Sequence, residues 1–290
     1  MAYAVHLLTI ANIYVILAVS LDMLVGFTGL ISLAHAAFFG MGAYATAILL
    51  RLDYGPFTAM GVGMLLAAFL STLAALPSLR VRGVYLLIVT IALQIVTSVV
   101  MLNWSDLTGG PGGIARIPPL TIFSQPIQGL SFLILTTALS CAVFFVCWRM
   151  MRSPFGTLLQ AIRDDEIGCL MLGKNVALAK ISVFALSGAF AAMAGSLYAH
   201  HASYVDPTGF DVIVSTAILV MVMLGGAGTL YGPVLGAVVL TLLPEILRFM
   251  PAPPGVAAAA RQLVYGFLLV VLIFFRPQGL LGKRKLNVKH

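Results

Sequence analysis

The stretch GFTGLISLAHAAFFGMGAY, residues 26–44, places four glycines, a threonine, a serine and a histidine between two apolar runs. A glycine inside a helix costs about 1 kcal/mol relative to alanine. Backbone groups freed by a broken helix cannot face lipid, but they are tolerated where they are buried in protein or line a watery cavity. We therefore predict that this stretch lies inside a membrane-embedded helical bundle and contributes to a solute pathway. The candidate pathway residues here are Gly26, Thr28, Gly29, Ser32, His35, Gly40, Gly42 and Tyr44.

A second interrupted stretch, LGGAGTLYGPVLG at residues 224–236, contains five glycines and one proline. In transporters, paired interruptions of this kind often mark the pathway. The alternative is that both stretches are tight turns between helices near the membrane interface. The candidate pathway residues of the second stretch are Gly225, Gly226, Gly228, Thr229, Gly232 and Pro233.

The composition requires lipid as part of the solvent. Of the 290 residues, 61% are hydrophobic and only 9% are charged, whereas a soluble domain carries about 25% charged residues. The net charge of +7 does not indicate nucleic-acid binding, because the basic residues lie at the ends of apolar runs and in two short clusters. The three cysteines do not have the spacing of metal ligands or of a disulfide framework, and we expect no metal site.

A membrane-spanning helix needs about 20 apolar residues, which predicts an all-α, polytopic bundle of about eight to ten spans with broken or re-entrant segments. We expect one membrane domain over residues 1–290. The predicted spans are Tyr3–Val25, Leu30–Leu50, Phe57–Leu79, Val84–Leu102, Leu130–Trp148, Ile181–Ala199, Val212–Leu224, Val234–Met250 and Ala257–Phe275. The second, seventh and eighth are short or interrupted by glycine. Small residues spaced four apart, namely Gly63, Ala67, Ser71 and Ala75, and again Gly188, Ala192 and Ser196, predict close helix packing.

The basic residues predict the orientation, because cytoplasmic loops are enriched in lysine and arginine. With nine spans, Arg80 and Arg82, the loop of about residues 149–180, and the C-terminal tail all lie on the cytoplasmic side. The N-terminus and the weakly charged loop Asn103–Gly129 then lie outside, whereas a re-entrant second segment would reverse the side of the N-terminus. The chain is accordingly predicted to be a multi-pass protein of the cytoplasmic, or inner, membrane.

Few ionisable residues fall within the spans. Asp22 and Glu245 lie near predicted ends, so we expect snorkelling or local pairing, for example of Glu245 with Arg248. We expect His35 to be a hydrogen-bonded packing residue. An ion-coupled secondary carrier that uses Asp22, His35 or Glu245 remains an alternative. An intramembrane enzyme is disfavoured, because the sequence lacks HExxH, GxSxG and paired membrane aspartates.

The cytoplasmic loop predicts a short helix. Ser153 and Pro154 are a favourable N-cap and N1 pair, and Gly173 can end the helix. Phe155, Leu159, Ile162 and Leu170 are compatible with one apolar face. Charged residues follow at Arg163, Asp164, Asp165 and Glu166, and we expect this element to dock a soluble partner. Gly168–Lys174 resembles the start of a phosphate-binding loop, but Asn175 replaces the required Ser/Thr and no strand precedes it. We therefore expect no cofactor or ATP in this chain.

Several segments together resemble the permease subunits of branched-chain amino acid ABC importers of the LivM/LivH type, and the LivM branch more than LivH. They are residues 29–44, Arg82–Tyr85, Leu107–Gly110, Ser153–Gly173, residues 224–233 and Arg276–Leu280. The resemblance implies a type II ABC-importer fold and a complex with a second, LivH-like permease, two cytoplasmic ATPase subunits that bind the ATP, and an extracytoplasmic solute-binding protein. It also implies that Glu166 to Gly173 is the coupling loop that contacts the ATPase.

Overall fold

The structure is a computed structural model that describes residues 2–79, 83–122, 125–248, 266 and 279–281. Three parts of the sequence interpretation lie outside these residues. They are Arg80 and Arg82, the ninth predicted span at 257–275 apart from Gly266, and the basic residues of the C-terminal tail.

Helices make up nearly all of the described secondary structure, which confirms the all-α polytopic fold class. They are α1 Ala2–Thr28, α2 His35–Arg51, α3 Pro56–Ser78, α4 Val84–Asn103, α5 Ser105–Thr108, α6 Leu130–Met151, α7 Pro154–Asp164, α8 Glu166–Met171, α9 Val176–Ala202, α10 Val212–Gly225 and α11 Tyr231–Arg248. Five of them (α1, α3, α4, α6 and α9) are long and apolar enough to cross a membrane. The shorter apolar helices α2, α10 and α11 match the spans that the sequence identified as short or interrupted. Helices α6 and α9 extend further than predicted, so the loop between them narrows to residues 152–175.

Helix α1 lies at the centre of the bundle. Its residues Leu17, Leu21, Met23 and Leu24 are fully buried, and it contacts α2, α6, α7, α9, α10 and α11. Helix α9 packs against α1, α2 and α3, while α4 lies against α2 and α3. A helix that is apolar all round must be buried in protein or lipid, and α1 is surrounded mainly by other helices.

The predicted small-residue stripes lie where α2, α3 and α9 approach one another closely. A methyl group added at Gly42 of α2 would lie 2.1 Å from the carbonyl oxygen of Ala192 in α9. One added at Gly188 of α9 would lie 2.5 Å from the Ser71 hydroxyl of α3. Gly42, Gly188, Ala192 and Ser71 are all buried. The stripes therefore hold α2, α3 and α9 together, as expected for packing in lipid.

Contacts between helix ends define two faces of the bundle. His6, near the start of α1, has its Nδ1 atom 2.8 Å from Nε2 of His201 at the end of α9. At the other end of α1, the Gly26 carbonyl contacts Arg163 of α7. The N-terminus and the 152–175 loop thus lie on opposite faces, as the predicted topology requires, and which of the two faces the cytoplasm stays a prediction.

Short strands and 3-10 turns cover the face that contains His201. Strand β1 Ile114–Ala115 pairs antiparallel with β4 Tyr204–Val205, in the register Ile114 to Val205. Strand β2 Thr121–Ile122 pairs antiparallel with β3 Gln125–Pro126. The 3-10 helices are Gly110–Gly112 and Pro207–Phe210. These elements come from the segments before α6 and after α9, so this face is built from long connections.

Candidate translocation and coupling site

The first glycine stretch breaks the chain inside the bundle. Helix α1 ends at Thr28, and Gly29 follows with a φ of +68°. The Leu30 amide donates to the Leu24 carbonyl at 3.0 Å, so the chain folds back onto the last turns of α1 and satisfies one of their free carbonyls. The chain is unwound until His35, where α2 begins. Helix α2 is therefore a discontinuous helix that starts within the protein.

His35 fixes the depth at which α2 starts. Its Nε2 atom lies 2.8 Å from the Ser20 hydroxyl of α1, and both side chains are fully buried. Ser20 precedes the last residue of α1 by eight positions, or about 12 Å along the helix axis. This agrees with the expected hydrogen-bonded packing role of His35. The Ser187 hydroxyl of α9 also donates to the Ser20 carbonyl at 2.6 Å, so three helices meet at this level.

The free amides around the start of α2 are satisfied by side chains of neighbouring helices. The donors and acceptors are Leu33 N to Thr90 Oγ1 at 3.1 Å, Ala36 N to Ser215 Oγ at 2.8 Å, and Ala37 N to Gln94 Oε1 at 2.7 Å. The first amides of any helix lack intrahelical partners, and in a membrane protein they must be satisfied internally. Side chains of α4 and α10 do so here.

The same side chains bring the start of α10 next to the start of α2. Gln94 Nε2 donates to the Phe210 carbonyl at 2.6 Å, and the Ser215 hydroxyl donates to Gln94 Oε1 at 3.2 Å. Phe210 directly precedes the first turn of α10. We call Thr90, Gln94, Ser215 and the starts of α2 and α10 the mid-bundle junction. Two short helices thus begin side by side inside the bundle.

Sequence reasoning missed the polar residues of the mid-bundle junction. Thr90, Gln94 and Thr97 are buried and share one face of α4, spaced four and three residues apart. That polar stripe in an otherwise apolar span was the available signal. Ser215 gave no comparable signal, because its polar neighbour Thr216 is adjacent in sequence and the two do not form a stripe along one face of α10.

Three predicted pathway residues of α2 form packing contacts. A methyl group at Gly40 would lie 2.8 Å from the Phe210 ring, whereas one at Gly42 would meet the backbone of Ala192. Tyr44 is 3% exposed, and its ring centroid lies 6.0 Å from that of Phe210. Ser32 is buried as well and accepts a hydrogen bond from the Ala34 amide at 3.3 Å.

The second glycine stretch forms a tight turn between α10 and α11. Gly226 and Gly228 have φ values of +111° and +80°, a region that favours glycine. A methyl group at Gly225 would lie 1.9 Å from the Gly232 carbonyl oxygen. The Thr229 hydroxyl donates to the Gly226 carbonyl at 2.8 Å. Pro233 stands in the first turn of α11, where its missing N–H is harmless. The two stretches therefore differ, since only the first contains a helix that starts within the bundle.

Asp22 holds this turn against α1, and the expectation that it snorkels or pairs locally is wrong. Its side chain is fully buried. One carboxylate oxygen accepts from the Gly228 amide at 2.7 Å and the other from the Leu230 amide at 3.3 Å. A methyl group at Gly26 would lie 2.2 Å from the Gly228 nitrogen. The absence of a side chain at Gly26 lets the turn approach α1 closely enough to reach Asp22.

Two further predictions concern the partner of Glu245 and the N-cap role of Ser153. Glu245 accepts a hydrogen bond from the Tyr3 hydroxyl of α1, and the side chain of Arg248 lies outside the described part of the chain. Ser153 and Pro154 occupy the predicted N-cap and N1 positions of α7, but the Ser153 side chain makes no capping hydrogen bond. Its hydroxyl donates to the Met150 carbonyl at 2.6 Å instead.

The loop at residues 152–175 forms two helices, α7 and α8, rather than the one predicted. Helix α7 ends at Asp164, and Asp165 adopts an extended backbone and accepts a hydrogen bond from the Gly168 amide at 2.9 Å. Asp165 is thus the N-cap of α8. Leu159 and Ile162 are buried as expected, but Leu170 is 53% exposed, because the break at Asp165 turns α8 away from the α7 face. Gly173 follows α8 with a φ of +69°.

Two charged residues of the loop bind to the bundle. Glu166 Oε1 lies 2.8 Å from Lys180 Nζ, and Lys180 is 1% exposed. Lys180 also donates to the Ser78 carbonyl at the end of α3, at 2.9 Å. Arg163 donates through Nη1 to the Gly26 carbonyl at 2.8 Å and through Nε to Asp164 at 3.1 Å. Lys180 was missed from the sequence, which gave no sign that it is buried.

The sequence of this chain matches a known protein family. The family model described as "Branched-chain amino acid transport system / permease component" matches residues 3–273. The chain is 33% identical to the high-affinity branched-chain amino acid transport system permease protein LivM of Escherichia coli K12, over 98% of this chain and 71% of that protein. It is 23% identical to a probable LivM of Methanocaldococcus jannaschii, over 94% and 91% of the two chains.

A more distant similarity covers part of the chain. The autoinducer 2 import system permease protein LsrC of Escherichia coli HS is 26% identical over 61% of this chain and 51% of its own length. No solved structure shows significant similarity. The bundle of apolar helices and the match over nearly the whole chain lead to one conclusion: the protein is a multi-pass inner-membrane permease that belongs to the branched-chain amino acid transport system permease family.

Proposed function

We propose that this chain forms half of the translocation pathway of an ATP-driven importer for branched-chain amino acids. The other half is a second, LivH-like permease. Two cytoplasmic ATPase subunits bind and hydrolyse the ATP, and an extracytoplasmic binding protein delivers the solute. The similarity to proteins named LivM, over 98% and 94% of this chain, supports both the substrate and the kind of complex.

The observation that carries the coupling part of the proposal is the construction of α8. Glu166 at its start is held by buried Lys180, so the helix is firmly attached to α9 and α3. Its other side is apolar and open to solvent, with Ile167, Leu170, Met171 and Leu172 between 53% and 83% exposed. Contiguous apolar surface of this kind on a polar face of a protein favours a protein partner. An ATPase subunit is the partner that the family supplies.

The mid-bundle junction supports a pathway next to α2 and α10. In transporters, discontinuous helices whose ends meet inside the bundle often surround the substrate site. Rocking of these short helices against α1 would open the glycine-broken segments alternately to either side. The side chains of Ser32, His35 and Tyr44 are buried in the described conformation, which suits a closed state of the pathway.

The coupling surface is tested by Leu172→Asp in the full complex. A buried charge at an interface costs several kcal/mol unless it is paired, so we expect the ATPase subunits to dissociate while the permease pair stays in the membrane. Co-purification of the ATPase with tagged permease measures this. The matched control is Leu52→Asp, because Leu52 is also exposed (62%) but follows α2 on the opposite face. Unchanged ATPase binding by Leu172→Asp would contradict the assignment of α8.

A further inference from the structure

Arg163 makes a contact that docking to a partner does not require. Its guanidinium donates to the Gly26 carbonyl at 2.8 Å. That carbonyl lies in the last turn of α1, where carbonyls lack intrahelical partners, and a cation is favourable at a helix C-terminus. The approach depends on Gly29, because a methyl group there would lie 2.9 Å from Arg163 Cγ. The cytoplasmic loop therefore reaches into the end of the central helix.

The residue contacted by Arg163 also touches the glycine turn. Gly26 lies one helical turn after Asp22, whose carboxylate holds the Gly228 and Leu230 amides. A methyl group at Gly228 would lie 3.1 Å from the Gly26 carbonyl oxygen and 3.7 Å from Arg163 Nη1. We call Asp22, Gly26, Arg163 and Gly228–Leu230 the loop-side junction. It joins α7, α1 and the α10–α11 turn within a few ångströms.

A third segment holds the glycine turn from its other side. The Leu280 amide donates to the Leu224 carbonyl at 2.7 Å, and the Leu281 amide donates to the Gly225 carbonyl at 3.0 Å. These carbonyls lie at the end of α10, so residues 279–281 cap that helix. The turn is thus bound on one side by α1 and on the other by the segment after α11. A displacement of α1 would be passed to α10, and through Ser215 to the mid-bundle junction.

Simple attachment of the loop does not account for Arg163. The loop is already anchored by Glu166, which binds buried Lys180 of α9, and Lys180 also donates to the Ser78 carbonyl of α3. The Arg163 side chain, in contrast, is 37% exposed, and its contact with Gly26 can break without exposing a buried charge. The contact joins a loop that faces a partner to the end of a helix, and it can break and re-form. Such a contact fits a role in conformational change better than a role in fixed attachment.

We propose that Arg163 is a positioning residue that transmits movement of the cytoplasmic loop to α1 and the glycine turn. The inference rests on the proposed function and specifies how the loop reaches the pathway. In the described state, the guanidinium holds the loop-side junction together. When the ATPase subunits move α7 and α8, Arg163 pulls the end of α1, and Asp22 carries the α10–α11 turn with it. Without this contact, ATP hydrolysis continues but no longer drives solute movement.

The test compares Arg163→Gln with Lys174→Gln in the reconstituted complex. Both changes remove one positive charge from the loop, and Lys174 is exposed. The readouts are ATP hydrolysis and leucine uptake, measured on the same proteoliposomes. For Arg163→Gln we expect an ATPase rate within about twofold of the wild type. Leucine moved per ATP should fall about tenfold or more, the size of one lost charge-assisted hydrogen bond. Lys174→Gln should leave this ratio unchanged.

Two further variants separate positioning from folding. Arg163→Lys keeps the charge and one donor, so it should restore much of the lost uptake per ATP. Asp164→Asn keeps the Gly26 contact but weakens the partner that orients the guanidinium, and should lower the ratio by a smaller factor, about twofold to threefold. An unchanged ratio in Arg163→Gln would overturn the inference, as would loss of ATPase binding together with uptake. If the wild-type complex shows no ATP-dependent leucine uptake, the proposed function itself fails.

Discussion

At the scale of single residues, Asp22 links helix α1 to the turn between α10 and α11. Its carboxylate is fully buried and accepts two backbone amides from a turn more than 200 positions away in sequence. A buried amide without an acceptor costs about 1–3 kcal/mol. The stability of the α10–α11 turn therefore depends on one side chain of α1.

Asp22→Asn tests that dependence. Asparagine has one acceptor oxygen, and its NH2 group would face an amide donor, so one of the two hydrogen bonds is lost. We expect the free energy of unfolding to fall by about 2–3 kcal/mol. Thermal unfolding of the purified permease pair in detergent measures the change. Asp106→Asn is the matched control, because Asp106 is exposed, and it should shift stability by less than about 0.5 kcal/mol. Equal effects of the two variants would contradict the account of Asp22.

The sequence could not predict this role, for a physical reason. Asp22 stands near the end of an apolar run, a position from which an acidic side chain usually reaches water. Its actual partners are backbone amides, which leave no trace in residue identity. Lys180 was missed in the same way, since burial depends on the end of α3 rather than on its own helix. The hydrogen bond expected for His35 is present through Nε2, whereas its place in a solute pathway stays a prediction.

At the scale of helices, glycine positions differ sharply in what surrounds them. A methyl group at Gly42 would meet the Ala192 backbone at 2.1–2.6 Å, whereas one at Gly61 of α3 would meet no atom within 4 Å. Backbone cannot swing away as a flexible side chain can. The two glycines thus give a matched pair within helices of the same protein.

Gly42→Ala and Gly61→Ala should change stability in opposite directions. We expect Gly42→Ala to force α2 away from α9 and to destabilise the protein by about 1–3 kcal/mol. Gly61→Ala should be neutral or stabilising by up to about 1 kcal/mol, because alanine favours the helix. The midpoint of thermal unfolding checks both. A stabilising Gly42→Ala would show that α2 and α9 do not pack as closely as described.

The sequence predicted which segments are helical better than it predicted where each helix ends or is interrupted. The first eight predicted spans each contain a helix, and five of these helices are long and apolar enough to cross lipid. The predicted second span begins at Leu30, but its helix begins only at His35. Ser153–Gly173 has good helix signals at each end, yet the chain breaks at Asp165 to cap α8. An aspartate can cap a helix or lie within one, and the sequence does not decide between them. For the two glycine stretches, the sequence predicted interruption but not that only the first starts a helix within the bundle.

At the scale of the whole molecule, the fold class follows from composition, whereas the pairing of helices does not, and the orientation predicted from charge stays a prediction. Apolar faces rich in leucine, valine and alanine carry little information about which neighbour they contact. The mid-bundle junction and the loop-side junction, which lie on different levels of the bundle, emerge only when α1, α4, α7 and α10 are brought together. The single domain over residues 1–290 stays a prediction.

The most direct test of the central claim is leucine uptake by proteoliposomes of defined content. The account predicts accumulation only when this chain, a LivH-like permease, the ATPase subunits and ATP are present together with the binding protein on the uptake side. This chain alone, under a proton or sodium gradient, should accumulate nothing. Accumulation by the chain alone would show a self-contained carrier and contradict an ATP-driven permease subunit.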